Sequence, residues 1–390
     1  MSWLDIAITA ATVFYGVVIC WLSVGIFRSR RHPCRTTQRP SVSVIVAARN
    51  EAGSIGSCLA ALRRQRYDGR LQVVIVDDRS TDGTGAIVDS AAGEWGTGLV
   101  CLRAPESPRY VCPKKSALAV GIEGSDGDLL LFTDADCEPP PDWVATMATC
   151  FSPGVGLVAG FACVEPLRWL RHRLLAIDNL GVSALAEGSI GMVAPLSCTG
   201  RNLAYRRSVW DEVGGFDEIG HLISGDDVYF LRLVSGRTDW RISYCAEPAA
   251  VVTGPSGSPT LGAILQQKLR HASKAARYSG GARWLGLGVY GYHGLLLAGL
   301  VLTAATGTLS KGFAIAWVLK WGLDAALLAA FAPRRGRDRR QLFFLPLVEA
   351  LYIPYVLFCV PLGRSGRFRW KQEPDCADLA PPASRMNETC

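Results

Sequence analysis

From Ile6 to Phe27 the chain runs IAITAATVFYGVVICWLSVGIF, 22 residues without a charged side chain. A helix needs about 20 apolar residues to cross the hydrocarbon core of a bilayer, and no water-soluble domain easily hides so long a run. Asp5 precedes the run and RSRRHPCR follows it from Arg28. A cleaved leader would carry its basic residues first and a shorter apolar core. The reversed order predicts an uncleaved anchor over residues 1–28, with the chain beyond Arg28 in the cytoplasm because basic flanks stay inside. Composition agrees: 19% of residues are charged and 49% are hydrophobic, against roughly 25% charged in an ordinary soluble domain.

Three further apolar stretches lie near the other end. Residues 285–306 and 313–332 form an expected hairpin, the second interrupted by Lys320 and Asp324, and the basic loop PRRGRDRRQ follows at 333–341. That loop should face the cytoplasm. The last stretch, 342–362, contains Pro346, Pro354, Pro361 and Glu349. A full crossing would export the basic text GRSGRFRWKQ, so a re-entrant hairpin bent at the prolines is expected instead. An ionisable residue at membrane depth is a functional candidate; the plainer reading of Glu349 is a carboxylate near a bend that reaches water or an arginine. Residues 285–375 are thus assigned to membrane segments and 376–390, ADLAPPASRMNETC from Ala377 on, to a disordered tail. Asn387-Glu388-Thr389 fits a glycosylation pattern there, but a cytoplasmic tail makes it a chance match.

Residues 29–284 remain, long enough for one domain with its own core. Runs rich in Val and Ile, SVSVIVAAR (41–49) and LQVVIVDD (71–78), flank a helical segment that puts Ile55, Leu59 and Leu62 on one face. This is the pattern of an α/β domain with a parallel sheet. LLLFTDAD (129–136) reads as a third strand and LVAGFACV (157–164) as a fourth. Two of these strands end in acids, Asp77-Asp78 and Asp134-Ala135-Asp136. Ligands of open α/β sheets sit beyond the carboxyl ends of strands, where carboxylates can hold a divalent cation that carries a phosphate. If the third strand stays extended, Asp134 and Asp136 point the same way. There is no GxGxxG after the first strand and no GxxxxGK[ST], so phosphate recognition falls to a metal and to cations. Lys114, Lys115, Arg270 and His271 are the available groups.

Seven segments stand in one order: VSVIVAARNE (42–51), VVIVDDRSTDGT (73–84), KKSAL (114–118), FTDADCEPPPDW (132–143), GRNLAYRRSVWDEVGGFDE (200–218), GDDVYFLRL (225–233) and QQKLRH (266–271). Together they resemble a membrane-anchored family 2 glycosyltransferase, an inverting enzyme with the GT-A nucleotide-sugar fold. The resemblance implies a GT-A domain over 29–284 with one N-terminal and about three C-terminal membrane segments. It implies that Glu51 and Asp78 line the nucleoside pocket and that Lys114 lies near the diphosphate. By the same resemblance Asp134 and Asp136 form the DxD that binds Mg²⁺ or Mn²⁺, with Asp136 the direct ligand, and Asp227 is the general base. Gln267, Arg270 and His271 match the family's Q-x-x-R-W. Two departures stand out: GDD at 225–227 replaces the commoner GED, and His271 stands where Trp is usual, which weakens a stacking platform for a growing sugar chain.

The expected activity is transfer of a single hexose, from a donor expected to be UDP-linked, to a hydroxyl of a membrane lipid: a glycerolipid, sphingoid, hopanoid or hydroxylated carotenoid. The protein is expected in the cell or inner membrane with its catalytic domain cytoplasmic. A processive polysaccharide synthase and a non-catalytic GT-A scaffold are the alternatives. The net charge of +7, from 41 Lys+Arg against 34 Asp+Glu, could suggest nucleic acid. The basic residues flank apolar segments and no basic-aromatic groove occurs between them, so no nucleic-acid partner is expected. The 13 cysteines follow no framework spacing, which predicts free thiols in a reducing compartment.

Overall fold

The computed structural model describes residues 3–31, 36–165, 169–255, 260–275, 280–332 and 339–364. Its first element, α1, is a helix over Trp3–Arg31, with Arg28, Arg30 and Arg31 in its last turn. An α/β domain follows: β1 (Val42–Ala48), α2 (Ile55–Arg63), β2 (Leu71–Asp77), α3 (Thr84–Trp95), β3 (Leu99–Arg103), α4 (Pro113–Glu123) and β4 (Leu129–Phe132). Strands β1, β2, β3 and β4 are parallel, with Val42 beside Leu71 on one flank and beside Leu129 on the other. Their text is almost wholly apolar because both faces are covered. Val44, Val46, Val73 and Ile75 pack with Leu59 and Leu62 of α2 on one side, while Ile45, Val74 and Val76 pack with Leu118 and Ile122 of α4 on the other.

The domain continues with α5 (Trp143–Thr149), β5 (Val155–Gly160), β6 (Ala162–Glu165), α6 (Leu170–Gly191), β7 (Leu203–Arg206), α7 (Arg207–Glu212), α8 (Val228–Arg237), β8 (Arg241–Cys245) and β9 (Val252–Pro255). The sheet order is β3-β2-β1-β4-β7-β5-β8, and β6 pairs with β9 in a small second sheet. Strand β7 runs antiparallel to both of its neighbours. The expected fourth strand therefore breaks at Phe161. Buried Asn202 holds the break open: its Nδ2 donates to the carbonyls of Phe161 (2.8 Å) and Ala250 (2.7 Å), and its Oδ1 accepts from Trp143 Nε1 (2.9 Å). The third strand also ends early. It stops at Phe132, and Cys137 N–H donates to the Asp134 carbonyl at 3.0 Å, so the DxD sits on a turn and not on an extended segment. Ten described cysteines are free thiols.

Among the described residues, four helices are long and apolar enough to cross a membrane. They are α1 and, after the shorter α9 (Leu261–Ala275), α10 (Gly280–Thr306), α11 (Lys311–Phe331) and α12 (Leu345–Arg364). The charges within them meet one another. Lys320 binds Asp324 at 2.8 Å and also pairs with Glu349, and Tyr15 Oη donates to Asp324 Oδ1 at 2.6 Å. Glu349 thus ties α12 to α11 through Lys320. Helix α12 continues through Pro354 and Pro361, so the proline-bent hairpin does not form. Its later half packs back against α9, Tyr355 and Cys359 beside Leu269 and Ala272.

Helix α6, which no periodicity in the sequence singled out, joins the two parts. A Cβ on Gly25 of α1 would fall on the Gly188 carbonyl, and one on Gly188 would lie 2.7 Å from the Leu22 carbonyl oxygen. Only glycine lets the two backbones come this close. Next to the crossing, Arg30 forms a two-armed ion pair with fully buried Glu187 (3.1 and 3.3 Å) and donates to the carbonyls of Ala330 (2.7 Å) and Phe331 (2.9 Å) at the end of α11.

Candidate active site

The carboxyl ends of β1, β2 and β4 lie side by side, which brings the acidic segments to one edge of the sheet. After β1 and β2 the chain turns sharply through Asn50 (φ 53°) and Arg79 (φ 56°), two non-glycine residues in the left-handed region. Such conformations persist where the surroundings over-determine them. Here Asn50 Oδ1 accepts from Thr81 N–H at 2.8 Å and Asn50 N–H donates to Ser80 Oγ at 3.0 Å, locking the two turns together. Asp78 is buried and receives Arg79 at 2.7 and 3.0 Å. Glu51 accepts from Ser54 Oγ at 2.7 Å, and its own N–H donates to Thr84 Oγ1 at 2.8 Å.

Lys114 sits in the first turn of α4 and reaches across the site. Its Nζ is 2.7 Å from Asp134 Oδ1 and 3.4 Å from Asp226 Oδ2. Burial acts to lower the Lys114 pKa, but the carboxylates of Asp134 and Asp226 overcome it and raise it well above the usual range. Asp134 shows the complement: burial pushes its pKa up, Lys114 pulls it down, and the net direction is down. Asp136 goes the other way, raised by burial and then by the charges of Asp134 and Glu51. Lys115, also available on sequence grounds, is fully buried and donates to the carbonyls of Ile219 (2.6 Å) and Leu222 (2.8 Å). It is a support for the loop that leads to Asp226.

Asp227 is the N-cap of α8. Its Oδ1 accepts from Val228 N–H at 2.7 Å and its Oδ2 from Gly200 N–H at 3.2 Å. The helix-terminal role therefore falls on Asp227, while Asp226 faces Lys114. Gln267 and Arg270 lie half-buried on α9. That helix is fastened to α6 by the Lys268–Asp178 ion pair and to α12 by its apolar side. The His271 side chain lies outside the described residues, as do residues 333–338 of the basic loop and 365–390, which include the whole expected tail at 376–390.

The donor set suits a cation that is completed by its ligand. Among the described residues no three His, Cys, Asp or Glu side chains gather as a closed metal cage. Asp134 is committed to Lys114, whereas Asp136, with its raised pKa, is crowded by like charge that a cation would relieve. Mg²⁺ is commonly held by one or two carboxylates with substrate phosphates supplying further oxygens. Asp136 fits that arrangement.

Sequence reasoning gave no role to three residues that stand at or beside this edge. Asp226 stood within the quoted GDD at 225–227 without a role of its own. Asn179 lies on the unforeseen α6. Arg201 stood within a quoted motif, GRNLAYRR, but one basic residue in a loop carries no signal until its neighbours in space are known.

Comparison with known proteins follows the same lines. The profile of the family described as glycosyl transferase family 2 matches residues 43–213, and that of glycosyl transferase family group 2 matches 129–332. Glycosyltransferase AglE of Haloferax volcanii is 32% identical over 206 residues, half of this chain and 62% of its own length. The probable glycosyltransferase YdaM of Bacillus subtilis is 29% identical, over 46% of this chain and 43% of its own. The chain thus spans less than two thirds of either relative. An N-acetylglucosaminyltransferase of Rhizobium leguminosarum is 28% identical over 377 residues, 87% of this chain and 84% of its own. The mannosyltransferase PcManGT of Pyrobaculum calidifontis, solved with GDP-Man and Mn²⁺, shares the fold with a TM-score of 0.59 at 24% identity, covering 90% of this chain and 98% of that one.

Proposed function

The chain belongs to glycosyltransferase family 2, and from that premise we propose that it moves one hexose from a nucleotide sugar to a hydroxyl of a membrane lipid and then stops. One observation carries the lipid reading. Helix α6 is packed backbone to backbone on the membrane helix α1 and pairs through Asp178 with α9, so the catalytic edge is joined rigidly to the membrane segments. A hydroxyl presented at the bilayer surface is the acceptor such a placement serves. Residue His271, in place of a stacking Trp, and the four membrane-length helices among the described residues favour release after one transfer over processive synthesis.

In this reading Asp227 takes the proton of the acceptor hydroxyl as its oxygen attacks the anomeric carbon. The two backbone N–H groups that grip its carboxylate hold it in one orientation. The nucleoside diphosphate leaves from the opposite face, so configuration inverts and an α-linked donor yields a β-linked product. Lys114 stands over the departing charge, and Glu51 and Asp78 line the nucleoside end. A Mg²⁺ or Mn²⁺ at Asp136, with Asp134 beside it, would share the negative charge of the diphosphate; PcManGT was solved with Mn²⁺. The arginines that end α1 favour the cytoplasmic face for the catalytic domain. The packing of the later half of α12 on α9 favours a continuous helix that lies against the catalytic domain on that face and does not cross.

The name of the Rhizobium relative favours, as a second reading, an N-acetylhexosamine as the sugar moved. Incubation of the purified protein with total membrane lipids and labelled UDP-glucose, UDP-N-acetylglucosamine or GDP-mannose tests both points. One donor should yield a single organic-extractable glycolipid. A ladder of longer products, or a water-soluble polymer, refutes the single transfer. His271→Trp should lengthen products if that position sets where transfer ends.

A further inference from the structure

We propose that Arg201 is a substrate-contacting residue that grips the sugar-side phosphate of the donor, and that Asn179 positions it. The inference rests on the reading of the Asp134–Asp136 edge as the nucleotide-sugar site.

Arg201 is pinned beside that edge at both ends. Its carbonyl accepts from the hydroxyl of Thr133, the residue before Asp134, at 3.0 Å. Its side chain is half-buried, and its Nη2 donates to Asn179 Oδ1 at 2.9 Å. Asn179 is itself oriented, because its Nδ2 donates to the Ala162 carbonyl at 2.8 Å. The other terminal nitrogen, Nη1, would lie 3.0 Å from a Cβ placed on Gly254, and Cys137 Sγ would lie 3.2 Å from the same point. The guanidinium and Cys137 therefore converge on one small space. Cys137 in turn touches Asp136, its Sγ 3.5 Å from Asp136 Oδ1.

An arginine so close to two aspartates ordinarily closes a two-armed ion pair with one of them. Arg201 forms none with any carboxylate among the described residues. A neutral amide from α6 holds it instead. Its remaining donors are thus kept available beside a carboxylate suited to a cation. An anion shared between a cation on Asp136 and the fork of Arg201 satisfies both, and the planar fork matches two phosphate oxygens where a lysine matches one. Gly200, its neighbour, donates to Asp227, so Arg201 lies on the side of the site where the sugar reacts, which selects the sugar-side phosphate. Because Asn179 belongs to α6, the helix that α1 holds by its glycines, this grip is also tied to the membrane anchor.

The test is calorimetric titration of the full-length protein in detergent micelles with Mn²⁺. The probes are UDP and GDP, and the monophosphate of whichever binds more tightly. Arg201→Ala should weaken the diphosphate about ten-fold or more, as loss of a charge-assisted hydrogen-bond pair does, and leave the monophosphate within about three-fold. Arg201→Lys should recover part of the loss. Asn179→Ala should reproduce a smaller, equally selective loss. Should Arg201→Ala not fold, Arg201→Gln carries the same comparison. Equal losses for both nucleotides, or none, overturn the inference and leave Arg201 a structural tie. If the wild type binds neither UDP nor GDP, the reading of the edge as a nucleotide site falls, and the inference with it.

Discussion

Removing Arg30 should loosen the whole joint between anchor and catalytic domain. Glu187 has no exposed side-chain surface and Arg30 only 13%, so Arg30→Met removes the two-armed partner of a carboxylate out of reach of water. Breaking a buried pair by deleting one partner costs about 3–5 kcal/mol. The carbonyls of Ala330 and Phe331 also lose this donor, about 1 kcal/mol each where nothing replaces it, and local rearrangement offsets part of the loss. A net destabilisation of about 4 kcal/mol corresponds to a fall in melting temperature of roughly 8 °C at about 2 °C per kcal/mol for a large domain. The 11 tryptophans give a fluorescence signal in detergent, with all variants heated at one rate because unfolding of such proteins is often irreversible. The double variant Arg30→Met/Glu187→Leu removes the carboxylate together with its partner and should recover most of the loss, since apolar replacement of a buried pair is often neutral. A single variant that melts within about 1 °C of the wild type, or a double variant no better than the single, would falsify the argument that this pair fastens α6 to α1 and α11.

Asp136→Ala and Asp227→Asn should each lower turnover by at least about 100-fold, the low end of a general base's contribution. Asp227→Asn should keep nucleotide binding, and Asp136→Ala should lose its metal dependence; near-normal turnover in Asp227→Asn removes it as the base. The Asp136 pKa is raised by burial and by the charges of Asp134 and Glu51, and a cation needs the ionised form. Mn²⁺ affinity is therefore full above that raised pKa and falls as pH drops through it. Glu51→Gln should move the loss to lower pH, and an unmoved or upward-moved acid limb contradicts the assignment. Reporters fused after residues 40 and 337 should lie on one side of the membrane and a reporter at 310 on the other. A C-terminal fusion should share the side of residue 40; a signal from the far side shows that α12 crosses.

The parts of this protein legible in its sequence are those written in local text. The long apolar runs announced α1, α10 and α11, because bilayer thickness demands an uninterrupted stretch wherever the chain crosses, whereas the prolines of the last run pointed to a bent hairpin where one continuous α12 stands. The Val- and Ile-rich runs of β1 and β2 announced a parallel sheet, because strands covered on both faces carry few polar side chains. The seven motif segments announced the family, and with it the acids at the edge of the sheet. What stayed hidden depends on partners far apart in the chain. Helix α6 is amphipathic to no single partner: it packs on the sheet, on α1 and on α12, so its apolar positions follow no one face and no period shows. The break at Phe161 was invisible because Asn202, 41 residues on, supplies the hydrogen bonds that make it tolerable. The early end of β4 turned the DxD out of the extended form that strand periodicity implies. The division of labour between Asp226 and Asp227, adjacent and chemically identical, was set by whether each carboxylate meets Lys114 or the N–H groups of Val228, at the start of α8, and Gly200. Local sequence could name the acids; only the packing of α4, α6 and α8 around them decided which would be paired, which would be held by the backbone, and which would face a ligand.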